Sequence, residues 1–181
     1  MDILEIKSPQ ELLDYMNEED NMRYGWLDPD NNEHIDTMKQ FRKLYRTLSI
    51  KDSIKYKLGT CIEQTNLEMF VMDNLSIPYK AYCLRSYEDN TRLVEPKMHC
   101  FLLYFVNDKC YHFEHSNPEV RGIHEYDNEE EAMKEILAYY QKRDNGKSRQ
   151  LLEIHEVPEG LTWQEWNAYL DELAKEDVKC L

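Results

Sequence analysis

Met98-His99-Cys100-Phe101-Leu102-Leu103-Tyr104-Phe105-Val106-Asn107-Asp108-Lys109-Cys110-Tyr111-His112-Phe113-Glu114-His115-Ser116 is the stretch on which the fold turns. Two runs rich in aromatic and aliphatic residues flank Asn107-Asp108, a pair suited to a two-residue hairpin turn. With that turn, Val106 pairs with Lys109, Phe101 faces Glu114 and His99 faces Ser116. Side chains alternate along a strand, so His99, Phe101, His112, Glu114 and Ser116 share one face and His115 points to the other. His99 and Glu114 then become diagonal neighbours ~7–8 Å apart at Cα, within reach of a shared hydrogen bond. A one-residue change in the turn would turn Glu114 to the opposite face.

Upstream, Tyr79 to Ser86 reads as a further strand of the same antiparallel meander. Before it, Thr60-Cys61-Ile62-Glu63 is a capping box, and Leu67, Phe70 and Val71 continue at helical spacing until Asn74 and Pro78 stop the pattern. Cys61 therefore opens a helix. Ser8-Pro9-Gln10-Glu11 caps an earlier helix running to about Asn17, with Leu12, Leu13 and Met16 as its apolar stripe. Between them, Tyr24 to Glu33 carries the turn formers Gly25, Pro29 and a run of Asp and Asn, and reads as a loop anchored by Trp26. The spacing of Met38, Phe41, Leu44, Tyr45 and Leu48 predicts one helix from Asp36 to near Ser49.

Downstream, Asn128 precedes an acidic first turn and the stripe Met133, Ile136, Leu137 and Tyr140, which predicts an amphipathic helix. A strand at Leu151 to Val157 follows. Thr162-Trp163-Gln164-Glu165 then caps a last helix with Trp166, Leu170 and Leu173 inside. The order predicts an α+β fold in one domain, with a core at about 55–125, a helical N-terminal part over 1–54 and a C-terminal helix-strand-helix over 126–181.

The chain has 181 residues, enough for one core without staples. Its 36 acidic and 22 basic side chains give a formal charge of -14, which argues against nucleic acid and anionic membrane surfaces as partners. The same balance hints at a basic or neutral substrate. Met1-Asp2-Ile3-Leu4-Glu5 is not the start of a secretory signal and no long apolar run occurs, so a cytoplasmic location is expected. Cys61, Cys83, Cys100, Cys110 and Cys180 show no paired zinc-ligand spacing and read as reduced thiols.

A cysteine at the first position of a helix meets free backbone N–H groups and the positive end of the macrodipole, both of which favour thiolate over thiol. Glu63 opposes this with a nearby negative charge, so activation needs a histidine. Cys61 as nucleophile, His99 as base and Glu114 as orienting acid make a site for acyl transfer. His112, on the same face of the hairpin, is a candidate accessory. A metal site would gather His99, His112, Glu114 and Cys61, but their spacing matches no ligand motif.

Gly59-Thr60-Cys61 opening a helix, Ile77-Pro78 leading into a strand, His99 on the next strand and an acid fifteen residues later resemble the transglutaminase-like superfamily, with its papain-like cysteine-protease fold. The resemblance covers roughly Lys55 to Glu125. Tyr24-Gly25-Trp26 and Arg121-Gly122-Ile123-His124 are further similar to bacterial members. Two positions depart: Glu114 stands where the family usually has Asp, and Cys100 where an aromatic often follows the histidine. The resemblance implies a Cys, His, acid order of catalytic residues, no cofactor, and a peptide, protein or small amide substrate resolved by water or an amine. It also implies an oxyanion donor, for which the backbone N–H of Cys61 comes first and Trp26, as an upstream aromatic N–H, and Gln64 are further candidates. An inactive member kept as a protein-binding module is the alternative.

Overall fold

The computed structural model describes residues 3–18, 21–88, 95–145 and 148–177. In chain order the elements are α1 (Pro9–Asn17), β1 (Arg23–Leu27), β2 (Glu33–Ile35), α2 (Phe41–Leu44), α3 (Ile50–Tyr56), β3 (Leu58–Gly59), α4 (Cys61–Leu75), β4 (Tyr79–Tyr87), β5 (Lys97–Val106), β6 (Lys109–Glu114), β7 (Gly122–Tyr126), α5 (Glu129–Asp144), β8 (Ser148–Ile154) and α6 (Trp163–Asp177). The fold is α+β, as the order of elements predicts.

The central hairpin has the register read from its turn. Asn107 and Asp108 take φ of 52° and 61°, the positive values a type I′ turn requires at both central positions. Val106 accordingly pairs with Lys109 and Leu102 with Phe113. The hairpin lies inside a five-stranded antiparallel sheet of order β7-β6-β5-β4-β8. Strand β7, which the sequence does not suggest, pairs Phe113 with Ile123 and Glu114 with Gly122.

Alternation along these strands builds two apolar layers. Ala81, Cys83, Cys100, Leu102, Phe113, Leu152 and Ile154 join α4, α1 and α6 in one cluster that runs from Ile3 to Leu170. Tyr82, Leu84, Phe101 and Leu103 face the other way and meet Ala132, Ile136 and Tyr140 of α5. Each large core side chain buried this way contributes ~1.5–3 kcal/mol of transfer free energy. The sheet is thus sandwiched between α4 and α5, with His99 on the α5 side and Cys100 on the α4 side.

The N-terminal part is less helical than its pattern predicts. Residues 24–33 are not one loop: β1 and β2 form a hairpin, with Trp26 opposite His34, and β1 also pairs in parallel with β3. Gly25 permits this three-strand approach, because a Cβ there would lie 2.6 Å from His34 O and 2.7 Å from Leu58 Cδ1. The turn chemistry is confined to Asp28–Asn32, where the Asp28 carboxylate accepts from the N–H groups of Asp30 and Asn32.

The single helix expected from Asp36 to Ser49 is also replaced. Asp36 and Gln40 sit at φ of 50° and 67°, and only Phe41–Leu44 is helical. Long-range bonds pull the next residues out of helix, with Thr47 N–H donating to Leu161 O and Gly160 N–H to Thr47 O. Ser49 then caps α3, a helix the apolar spacing did not reveal. The other capped helices start as read, at Ser8, Thr60, Asn128 and Thr162. Among the described residues no helix is long and apolar enough to cross a membrane.

Candidate active site

Cys61 is the first residue of α4 and is 7% exposed. The capping box holds that end: Thr60 Oγ1 accepts from Ile62 N–H, and the Glu63 carboxylate accepts from Thr60 N–H at 2.9 Å. Gly59 lets the turn close, since a Cβ there would stand 2.7 Å from Glu63 Cβ. Glu63 also accepts from the Tyr45 hydroxyl at 2.6 Å and from Leu48 N–H at 3.2 Å. Burial raises its pKa against the pull of these donors, which tempers the negative charge it sets beside the thiol.

On the sheet, His99 Nε2 lies 2.6 Å from Glu114 Oε2. The other oxygen of Glu114 accepts from Ser116 Oγ at 3.1 Å and Asn117 N–H at 2.8 Å. Burial works to raise the Glu114 pKa, but the charge and hydrogen bond of His99, then His112 and the Asn117 N–H, prevail and bring it down to about 2. For His99, burial favours the neutral ring; the Glu114 charge and hydrogen bonding to Cys61 and Glu114 outweigh it and lift the pKa to about 10. The ring is clamped from α5, where Tyr140 stacks on it at 4.9 Å between centroids. Asn117 ties this clamp to the acid, its side-chain amide donating to the Tyr139 and Tyr140 hydroxyls at 3.1 Å each.

Cys61 arrives from α4, on the opposite side of the sheet from His99, and the end of the β5–β6 ladder lets the two meet. The paired register stops at Leu102 and Phe113. Residues 102, 104 and 106 direct their N–H groups to β6 in this register, so Cys100 directs its own to the same side, where β6 no longer pairs. Cys100, through its thiol and that N–H, and His99 are the groups that shift the Cys61 thiol. The thiol of Cys100, then the hydrogen bond and charge of His99 and the Cys100 N–H, hold the Cys61 pKa well below the usual thiol value against the opposing effect of burial. With Nε2 engaged by Glu114, Nδ1 is the ring nitrogen left to face the sulfur. The arrangement favours a thiolate beside an imidazolium that an ionised carboxylate stabilises.

The structure thus brings Cys61, His99 and Glu114 together. It gives the accessory candidates other work. Trp26 Nε1 donates to Thr37 O at 2.8 Å while its ring stacks on His34, so its N–H is already engaged. The Gln64 side chain donates to Gly59 O and accepts from His115 Nδ1, a buried bridge from α4 to β6 and its following residue. His112 is buried 3.8 Å from Glu114 Oε2, and burial leads in lowering its pKa to about 4, which leaves it neutral.

Tyr24, within the Tyr24-Gly25-Trp26 run, carries no functional signal in the sequence. Parallel pairing sets Tyr24 opposite Gly59, two residues before Cys61, where its hydroxyl comes under the influence of the Cys61 charge and backbone N–H. Cys61 charge first, and burial second, raise the Tyr24 pKa well above the ordinary phenol value, so it keeps its proton. Glu68, two turns along α4, gives no such signal either; burial and then the Glu114 charge hold it as a neutral acid. Only the capping spacing of α4 could have placed it on the inward side.

Two recesses open onto the site. One of about 450 Å³ is lined by Cys61, Ile62, Phe41 and Trp163, the other of about 570 Å³ by His99, Ser116, Asn117 and Tyr140. Tyr24, Met38, Lys97 and Met98 line both. Cys61, Cys83, Cys100 and Cys110 are free thiols, and Cys180 lies outside the described residues. No group of three or more potential metal ligands occurs among the described residues. The chain matches no protein-family model and no curated protein.

Proposed function

We propose that the protein is a cysteine-dependent acyl-transfer enzyme, an amide or peptide hydrolase or a transglutaminase-like acyltransferase. The observation that carries the reading is the 2.6 Å His99–Glu114 hydrogen bond beside a cysteine at a helix start. The Cys61 thiolate adds to a carbonyl carbon, and the new S–C bond pushes the π electrons onto oxygen. The Cys61 N–H and the Tyr24 hydroxyl are the donors to that oxygen. Collapse breaks the bond to the leaving group, which takes the proton of the His99 imidazolium. A thioacyl enzyme remains. Water or an amine then adds, giving its proton to His99, and the thiolate is expelled.

The chain order of nucleophile, histidine and acid, with α4 packed on an antiparallel sheet, supports a transglutaminase-like or papain-like fold for this chemistry. The test is iodoacetamide labelling at about pH 6–7, where ordinary thiols react slowly. Selective labelling of Cys61 that His99→Ala slows is expected. Labelling spread over several cysteines and indifferent to His99 would favour a binding module that kept the fold without the activity.

A further inference from the structure

We propose that the groove formed by the two recesses takes an acidic polypeptide, with carboxylates on both sides of the acyl carbon. The proposal rests on the acyl-transfer reading for which atoms react, and on charge distribution for what binds. Five of the 22 basic residues line the recesses, against two of the 36 acidic ones. Bases are therefore concentrated where the acidic composition would lead one to expect carboxylates.

The layout gives each base a side. His99 delivers the leaving-group proton, so its recess receives the leaving group and the Cys61 recess receives the acyl part. Arg42 and Lys43 stand on the acyl side, which no carboxylate lines. Arg121 and Arg143 stand on the leaving side, and neither is ion-paired with a carboxylate among the described residues. Arg121 is anchored through Nε to His115 O at 2.8 Å, which leaves the terminal nitrogens of its fork for a ligand. Arg143 packs over the Tyr140 ring that clamps His99. Lys97 borders both recesses.

Asp36 and Asp144 also line the leaving side; Asp144 is 3.9 Å from Lys97, and Arg42 on the acyl side is 2.7 Å from Glu95. The five bases still exceed the two lining acids. Charges beyond ~8 Å are largely screened at physiological salt, so the local excess and not the net charge meets the substrate. The acidic remainder of the surface repels the same ligand, which confines it to the groove. An extended chain that reaches both recesses through one pair of reacting atoms, with anions to either side, is a polypeptide rich in Asp and Glu. This reverses the basic or neutral substrate expected from net charge.

The test titrates an oligo-glutamate peptide, with oligo-lysine and oligo-glutamine controls, against the intact protein. Binding is read from intrinsic tryptophan fluorescence, since Trp163 lines the groove, and from protection of Cys61 against alkylation. Oligo-glutamate should bind at least ~10-fold more tightly than oligo-glutamine, weakening as salt rises. The double variant Lys43→Glu/Arg143→Glu should lose ~10-fold or more, while Lys134→Glu, an equal change per site on the exposed face of α5, should lose less than about twofold. Equal binding of the three peptides, tighter binding of oligo-lysine, or equal loss in Lys134→Glu would overturn the proposal. The fluorescence arm needs no turnover, so it decides the groove's preference even if Cys61 proves unreactive and the acyl-transfer reading fails.

Discussion

His99 and Glu114 stand fifteen residues apart in the chain and 2.6 Å apart in space, joined across the point where the β5–β6 ladder ends. The ladder makes them diagonal neighbours, and its end opens the gap through which the Cys61 sulfur reaches His99 and the Cys100 N–H. One backbone feature thus places the acid and admits the nucleophile.

Glu114→Gln keeps the shape of the side chain and removes its charge. His99, no longer held up to about 10 by that carboxylate, should titrate closer to its ordinary value, and the Cys61 thiolate should lose its imidazolium partner at lower pH. Acylation by an activated ester should fall ~10²–10⁴-fold, and the alkylation profile should move toward higher pH. A rate within about twofold of the parent at unchanged melting temperature would remove Glu114 from the orienting role.

Tyr24→Phe separates oxyanion stabilisation from thiolate reactivity. Loss of one preorganised donor to a developing oxyanion costs ~10²–10³-fold, so ester acylation should drop by about that factor or somewhat less, since the Cys61 N–H remains. Iodoacetamide alkylation develops no oxyanion and should stay within about twofold. Parallel loss in both reactions would show that Tyr24 acts only through the structure around Cys61.

His112 is buried and neutral, with a pKa lowered to about 4 by burial first, opposed by Glu114 and aided by His99 and His124. The unfolded ring takes a proton near its ordinary value of about 6.5, so the unfolded state binds more protons between about 4 and 6.5. Stability from this group rises with pH across that window and is lost as pH falls. His112→Phe removes the titration, so urea midpoints should move in favour of the variant as pH is lowered from about 7 to 4.5. A difference that does not change with pH would show that His112 is not held neutral.

Glu68 has the opposite sign. Burial first, and the Glu114 charge second, raise its folded pKa well above the ordinary carboxyl value. The folded state therefore keeps a proton that the unfolded chain releases above about 4.3, and the stability from this group declines as pH rises toward the folded pKa. Glu68→Gln, neutral at every pH, should gain stability relative to the parent as pH goes from about 5 to 8. An equal effect at both values, read from melting temperatures, would mean that the acid is ionised in the fold.

The local signals were legible because they act over a few residues. Thr60 and Glu63 define the start of α4, Asn107-Asp108 sets the hairpin register, and alternation from that register puts His99 and Glu114 on one face. These follow from hydrogen bonds and backbone angles within one turn or one ladder, so the amino-acid order alone determines them. The helix expected from Asp36 to Ser49 failed because bonds from Thr47 to Gly160 and Leu161, more than a hundred residues away, outweigh local apolar spacing. The β1–β2 hairpin was hidden because Gly25 counts locally as a turn former, whereas it serves here to let two strands and Leu58 approach. For the same reason the groups that set the chemistry, Cys100 acting on the Cys61 thiol, Tyr24 lining both recesses and five bases around them, came only from tertiary structure. They depend on where separate elements end against one another, and no spacing along a single element records that distance.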